Sequence, residues 1–75
     1  MALSKAETNK LKKIGTRIRD VRTEKGLTLE DVENNGGPSW RLLIKIEKGK
    51  NHNISTLLKI ADALGVSPAD LLNVS

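Results

Sequence analysis

Glycines at 26, 36–37, 49 and 65 cut the sequence into short segments, and that punctuation limits what can be built between them. Glycine enters the left-handed conformation that closes a helix at little cost, so each position suits a helix end. The apolar residues ahead of these stops have helical rather than strand spacing. Leu11, Ile14, Ile18 and Val21 recur at three and four residues, which sets them on one stripe. Leu57, Leu58, Ala61 and Leu64 are expected to point inward in the same way before Gly65. No segment combines period-two alternation with β-branched enrichment, so no sheet is expected.

Helix starts are marked as clearly as the stops. Ser4 with Glu7 and Thr28 with Asp31 have capping-box spacing, in which a hydroxyl and an acid satisfy each other's backbone donors. Ser39 can cap a helix from Trp40 to Lys48, and Asn53 or Ser55 the one that follows. Ser67-Pro68-Ala69-Asp70 combines a cap, a proline at the first helical position and an acid at the third, and opens a last helix through Asn73. The pattern predicts an all-α fold of five short helices with links of two to six residues. Residues 1–10 read as an N-terminal extension in which helix 1 can already begin near Lys5. Residues 11–75 read as one domain, with no second domain to hold a small-molecule effector.

A chain of 75 residues without cysteine must be stabilised by packing, because neither disulfides nor thiolate metal sites are available. His52 has no second histidine with which to share a metal, and no cofactor is implied. It also lacks a cysteine or a marked serine nucleophile to activate. Gly36-Gly37 lacks the Gly-Lys-Ser/Thr ending of a phosphate-cradling loop. Glu30, Asp31 and Glu33 suit the positive end of a helix dipole rather than acid–base chemistry. No enzyme is expected. Nor does any apolar run approach the roughly 20 residues that cross a bilayer. The expectation is a soluble, cytoplasmic protein.

Charge distribution is more informative than the net value of +4. Lysine and arginine concentrate in residues 1–25 and again in 39–52, whereas the C-terminal segment has a single lysine, Lys59, against Asp62 and Asp70. Two basic segments suit a phosphate-facing surface, although solvated helix faces would give the same count. A short helix, a glycine-containing turn and a second short helix that carries this second basic segment form the order in which a helix-turn-helix sets its second helix in the major groove. On that helix Leu43 and Ile46 are spaced to face the core, leaving Trp40, Arg41, Ile44, Lys45 and Lys48 on the other side. Arginine and lysine can donate to guanine O6 and N7, and apolar groups can meet thymine methyls. Lys48, Lys50 and His52, leaving the helix, suit phosphates, as do backbone N–H groups at helix starts such as the one Ser39 opens.

From Ile14 to Leu72, about four fifths of the chain, "IGTRIRDVRTEKGLTLEDV", "IEKGK" and "LLKIADALGVSPADLL" resemble the Cro/CI-type (XRE-like, lambda-repressor-like) DNA-binding domains. The resemblance implies a compact five-helix domain that binds double-stranded DNA as a homodimer, joined through the C-terminal end where Pro68, Leu71, Leu72 and Val74 can leave an apolar edge. It implies that Trp40, Arg41 and Lys45 read base edges with Ile44 beside them, that Thr28, Lys48 and Lys50 touch phosphates, and that Arg22 pairs with Glu47. Three positions depart from the pattern. Leu29 replaces a phosphate-clamping glutamine, Glu33 a small residue between helices 2 and 3, and Gly36 a larger apolar residue whose space Trp40 or Leu42 can fill. The alternative reading is a module that keeps this fold while Trp40, Leu42 and Ile44 bind a partner protein.

Overall fold

A computed structural model describes residues 2–74. The described chain forms α1 (Lys5–Glu24), α2 (Leu29–Asn34), α3 (Trp40–Glu47), α4 (Ile54–Leu64) and α5 (Pro68–Leu72), with no strand among the described residues. Local chemistry sets these boundaries. Reciprocal capping boxes open α1 at Ser4 and Glu7, α2 at Thr28 and Asp31, and α5 at Ser67 and Asp70. Ser39 caps α3, and Asn53, not Ser55, caps α4 through its bond from the Thr56 N–H at 2.9 Å. Gly65 closes α4 in the left-handed conformation, φ 73°. Lys48 caps the end of α3 instead of extending it.

Every helix sends at least one fully buried side chain to a single core: Ile18 from α1, Val32 from α2, Leu43 and Ile46 from α3, Ile60 from α4 and Leu71 from α5. Leu58 does not join them and is 45% exposed. Positions 57, 60, 61 and 64 fill the inward stripe of α4, and a residue one step past Leu57 is turned about 100° away from it. Ile60, missing from the sequence pattern, takes the inward place. The space expected at position 36 is also absent. Gly36 has φ +97°, and a Cβ there would meet nothing within 4 Å, so a side chain would point into the open. Leu42 packs against the core, whereas Trp40 is 39% exposed and is not among the residues packed on it.

The junction of α1 with the end of α3 brings backbone against backbone. Gly15 lies against the carbonyls of Ile46 and Glu47; a Cβ there would come within 2.8 Å of the Glu47 oxygen and closer still to that of Ile46. A little further along α1, Arg22 donates from Nε to Glu47 Oε2 at 2.7 Å and from Nη2 to Oε1 at 3.0 Å. Its Nη1 donates to the Leu27 carbonyl at 2.9 Å. Both side chains of the pair are largely buried, at 12% and 6% exposure. The Glu47 hydrogen bonds raise the Arg22 pKa above its ordinary value, against burial, which lowers it. Next along, Gly49 has φ +107° and approaches Lys12, whose Cγ would lie 2.7 Å from a Cβ at 49.

Two substitutions test this junction by urea denaturation. Alanine for Gly15 would ordinarily strengthen a helix. Here Gly15→Ala is expected to destabilise by about 1–3 kcal/mol, because the added methyl meets backbone that cannot swing aside. Glu47→Ala should cost about 3 kcal/mol by stranding the Arg22 charge, and the double replacement Arg22→Met, Glu47→Met should recover most of that loss. A neutral or stabilising Gly15→Ala would refute the close contact.

Candidate nucleic-acid interface

The inward face of α3 is sealed by Leu43 and Ile46, both with no exposed surface. Helical spacing then turns Trp40, Arg41 and Lys45 outward, and all three are exposed; Ile44 is half-buried beside them. Arg41 lies over the Trp40 ring, its guanidinium carbon 5.3 Å from the ring centroid, so the two side chains form one cationic, planar unit. Lys45 follows one turn later and Lys48 stands at the cap. The chain then folds back on α3, with the Lys50 N–H donating to the Lys45 carbonyl at 3.0 Å, and Lys50 remains exposed.

Ile44, Lys48, Arg22, Glu47, Arg19 and Leu29 line a cavity of about 350 Å³ between α1, the start of α2 and α3. Arg22 and Glu47 neutralise each other there, so the excess positive charge comes from Lys48 and Arg19. Sequence spacing alone does not single out Arg19. Its place one turn before Arg22 on α1 is a weak local signal that gains meaning only from the shared cavity. Thr28 lies at the start of α2, where its hydroxyl accepts from the Asp31 N–H at 3.0 Å and its own N–H donates to Asp31 Oδ2 at 2.8 Å. Ser39 is occupied similarly, its hydroxyl accepting from the Leu42 N–H at 3.3 Å. Each hydroxyl keeps its proton to offer an acceptor. His52 lies apart, half-buried in a groove with Leu11, Ile14, Ile54, Leu57 and Leu72, its Nδ1 3.3 Å from the Lys50 carbonyl oxygen.

Glu33, in the place of a small residue between α2 and α3, bonds the start of α3. Its Oε1 accepts the Trp40 backbone N–H at 2.8 Å, satisfying one of the donors that every helix start leaves open. At the other side of the molecule, Arg17 donates to the Asp70 carbonyl at 3.0 Å and Lys10 to that of Val74 at 3.3 Å. Those cations of α1 therefore face α5 and the C-terminal segment. Leu71 is wholly buried; Leu72 remains 45% exposed near Ile54 and His52, and Val74 is half-buried.

The capping bonds also make a titration prediction. Asp31 is held below the ordinary carboxylate range by the Thr28 backbone bond first and the Thr28 side-chain bond second. A carboxyl whose folded pKa lies below its unfolded value contributes stability above the unfolded pKa and loses it as pH falls through the folded value. In a carboxyl NMR titration Asp31 should titrate below an ordinary aspartate, and Thr28→Ala should move its midpoint upward. The alanine variant keeps the Thr28 N–H, so an unmoved midpoint would contradict the contribution of the Thr28 side chain.

No helix among the described residues is long and apolar enough to cross a membrane. Residues 15–75 match the family described as "Helix-turn-helix domain". The chain is also 42% identical over 62 residues to an uncharacterised HTH-type transcriptional regulator, y4dJ, of Sinorhizobium fredii (strain NBRC 101917 / NGR234), a match covering 81% of this chain and 80% of that protein. No solved structure matches it. With a family match over most of its length, a relative of this similarity and five helices built around a helix-turn-helix, the chain belongs to the XRE-like helix-turn-helix family.

Proposed function

We propose that the chain is a sequence-specific, repressor-type regulator that lays α3 in the major groove of double-stranded DNA. The observation that carries this reading is the division of α3: Leu43 and Ile46 are fully buried, while Arg41 and Lys45 stand exposed one turn apart on the other side. Trp40, Arg41, Ile44 and Lys45 would read base edges, Arg41 and Lys45 as donors and Ile44 as an apolar contact. Thr28, Ser39, Lys48 and Lys50 would contact phosphates, with His52 as an outlying member. The description of y4dJ as a transcriptional regulator supports the same function. A regulator of this kind would work in the cytoplasm, on the chromosome.

The alternative, an α3 that buries an apolar face against a protein partner, is weakened by the packing of Leu42 against the core. Only Trp40 remains as a large exposed apolar residue on α3, and Arg41 lies over its ring. We further propose homodimerisation through the C-terminal region, where exposed Leu72 adjoins Ile54, which is 63% exposed. A two-fold dimer of such domains would bind half-sites about one helical turn apart.

Selection from a random DNA pool, followed by titration at two salt concentrations, tests these roles. The selected sequences should contain two-fold-related half-sites, and affinity should fall steeply with salt. Arg41→Ala should relax preference at one or two base positions by about 1–3 kcal/mol each. Lys48→Ala should weaken all sequences alike and reduce the salt slope by about 1. Indistinguishable losses for the two variants across operator sequences would defeat the division into reading and anchoring residues. No binding even at low salt would favour the partner reading, and an asymmetric single site would remove the dimer.

A further inference from the structure

The two ends of α3 are held differently, and the difference singles out Glu33. At its C-terminal end α3 is fixed to α1 by the Gly15 contact and by the paired bonds of Arg22 with Glu47. At its N-terminal end the Ser39 hydroxyl bonds the Leu42 N–H at 3.3 Å, but that cap belongs to the same stretch of chain and moves with it. The turn before it is tied back to α2 by the Gly37 N–H, which donates to the Val32 carbonyl at 2.9 Å, but Gly36 and Gly37 have no side chains with which to reach the helix itself. Glu33 provides a tie from another helix, its Oε1 accepting the Trp40 N–H at 2.8 Å.

The helix that supplies this tie is itself anchored. Val32, next to Glu33, is fully buried, and Asn35 at the end of α2 donates to the Ala63 carbonyl of α4 at 3.4 Å. α3 carries no acid in its own first turn, so Glu33 also supplies a negative charge to the positive end of its dipole. A bond to an ionised acceptor is shorter and stronger than a neutral one. The residue it holds, Trp40, carries the ring under the Arg41 guanidinium.

We propose that Glu33 is a positioning residue for base recognition: by holding the Trp40 N–H it fixes the first turn of α3 and the direction in which the stacked Trp40–Arg41 pair meets DNA. This rests on the DNA-reading role given above. Base discrimination depends on placing donors within hydrogen-bond reach of base edges, so loosening this end lowers selectivity more than it lowers attraction to phosphates.

The test compares Glu33→Ala, which removes the acceptor, with Glu33→Gln, which keeps an acceptor oxygen without the charge. Trp40 is the only residue among Trp, Tyr and Phe in the chain, so the near-ultraviolet circular dichroism of the free protein reports on its surroundings alone. Glu33→Ala should weaken that signal at a temperature where the helical signal is intact. It should also reduce the ratio of affinities for the selected and a scrambled sequence by about tenfold, the scale of one mismatched base pair. Glu33→Gln, which keeps the acceptor but loses the charge, should fall between the alanine variant and wild type in both measurements. Equal behaviour of the two variants, or an alanine variant that binds both sequences proportionately more weakly, would overturn the proposal. A wild-type protein that prefers no sequence would remove the DNA reading itself, whereas a wild type that discriminates and an alanine variant that discriminates equally well would defeat this inference alone.

Discussion

The architecture depends on how closely α1 can approach the end of α3. With no side chain at Gly15, the α1 backbone packs directly on the carbonyls of Ile46 and Glu47. That proximity lets a guanidinium two turns further along α1 reach the Glu47 carboxylate with two N–H groups and the Leu27 carbonyl with a third. A planar fork of donors suits this arrangement in a way that an ammonium would not. The ion pair is better understood as setting the direction of α3 than as a large source of stability, because the desolvation of both charges offsets much of their attraction. The apolar core supplies cohesion, and the polar junction chooses the angle.

Around that junction, polar side chains complete helix ends far more often than they stabilise the interior. Among the described residues the Arg22–Glu47 pair is the one charged pair whose side chains are largely buried, and no buried side-chain nitrogen or oxygen lacks a partner. Three reciprocal boxes, two single caps and the Glu33 bond satisfy donors at helix starts; Arg17 satisfies the Asp70 carbonyl near the end of α5. Helices as short as α2 and α5 have little stability of their own, so such caps and the packing of Val32 and Leu71 must act together.

This contrast explains what could be read from sequence. A capping box spans four residues, so Ser4–Glu7, Thr28–Asp31 and Ser67–Asp70 were legible, as was the closing role of Gly65. The inward roles of Leu43 and Ile46 followed from spacing. Arg22 and Glu47 are 25 positions apart, and their pairing came from family resemblance rather than local pattern. What failed was set by the angles between helices. Leu58 and Ile60 have similar apolarity and lie on the same helix, and only the placement of α4 against the core separates them. The conformation of Gly36 sends its missing side chain outward, which no composition rule reveals. Glu33 was recognised as a departure, but its acceptor role depends on where the start of α3 lies. Arg19 became relevant only when a shared cavity brought it beside Lys48.

The exposed face of α3 is nearly independent of the contacts that hold the helix in place. Arg41 and Lys45 are exposed, and neither takes part in the Gly15 contact or the Arg22–Glu47 pair. Inheritance can therefore treat the two sets of residues differently. Positions 41 and 45 are free to vary one at a time while the domain still folds, and under the proposed DNA-reading role each such change would alter what the helix recognises. Positions 22 and 47 can change safely only in concert, and position 15 has almost no freedom. Lineages built on this scaffold can thus diversify the exposed face of α3 by single substitutions without first acquiring compensating changes in the interior.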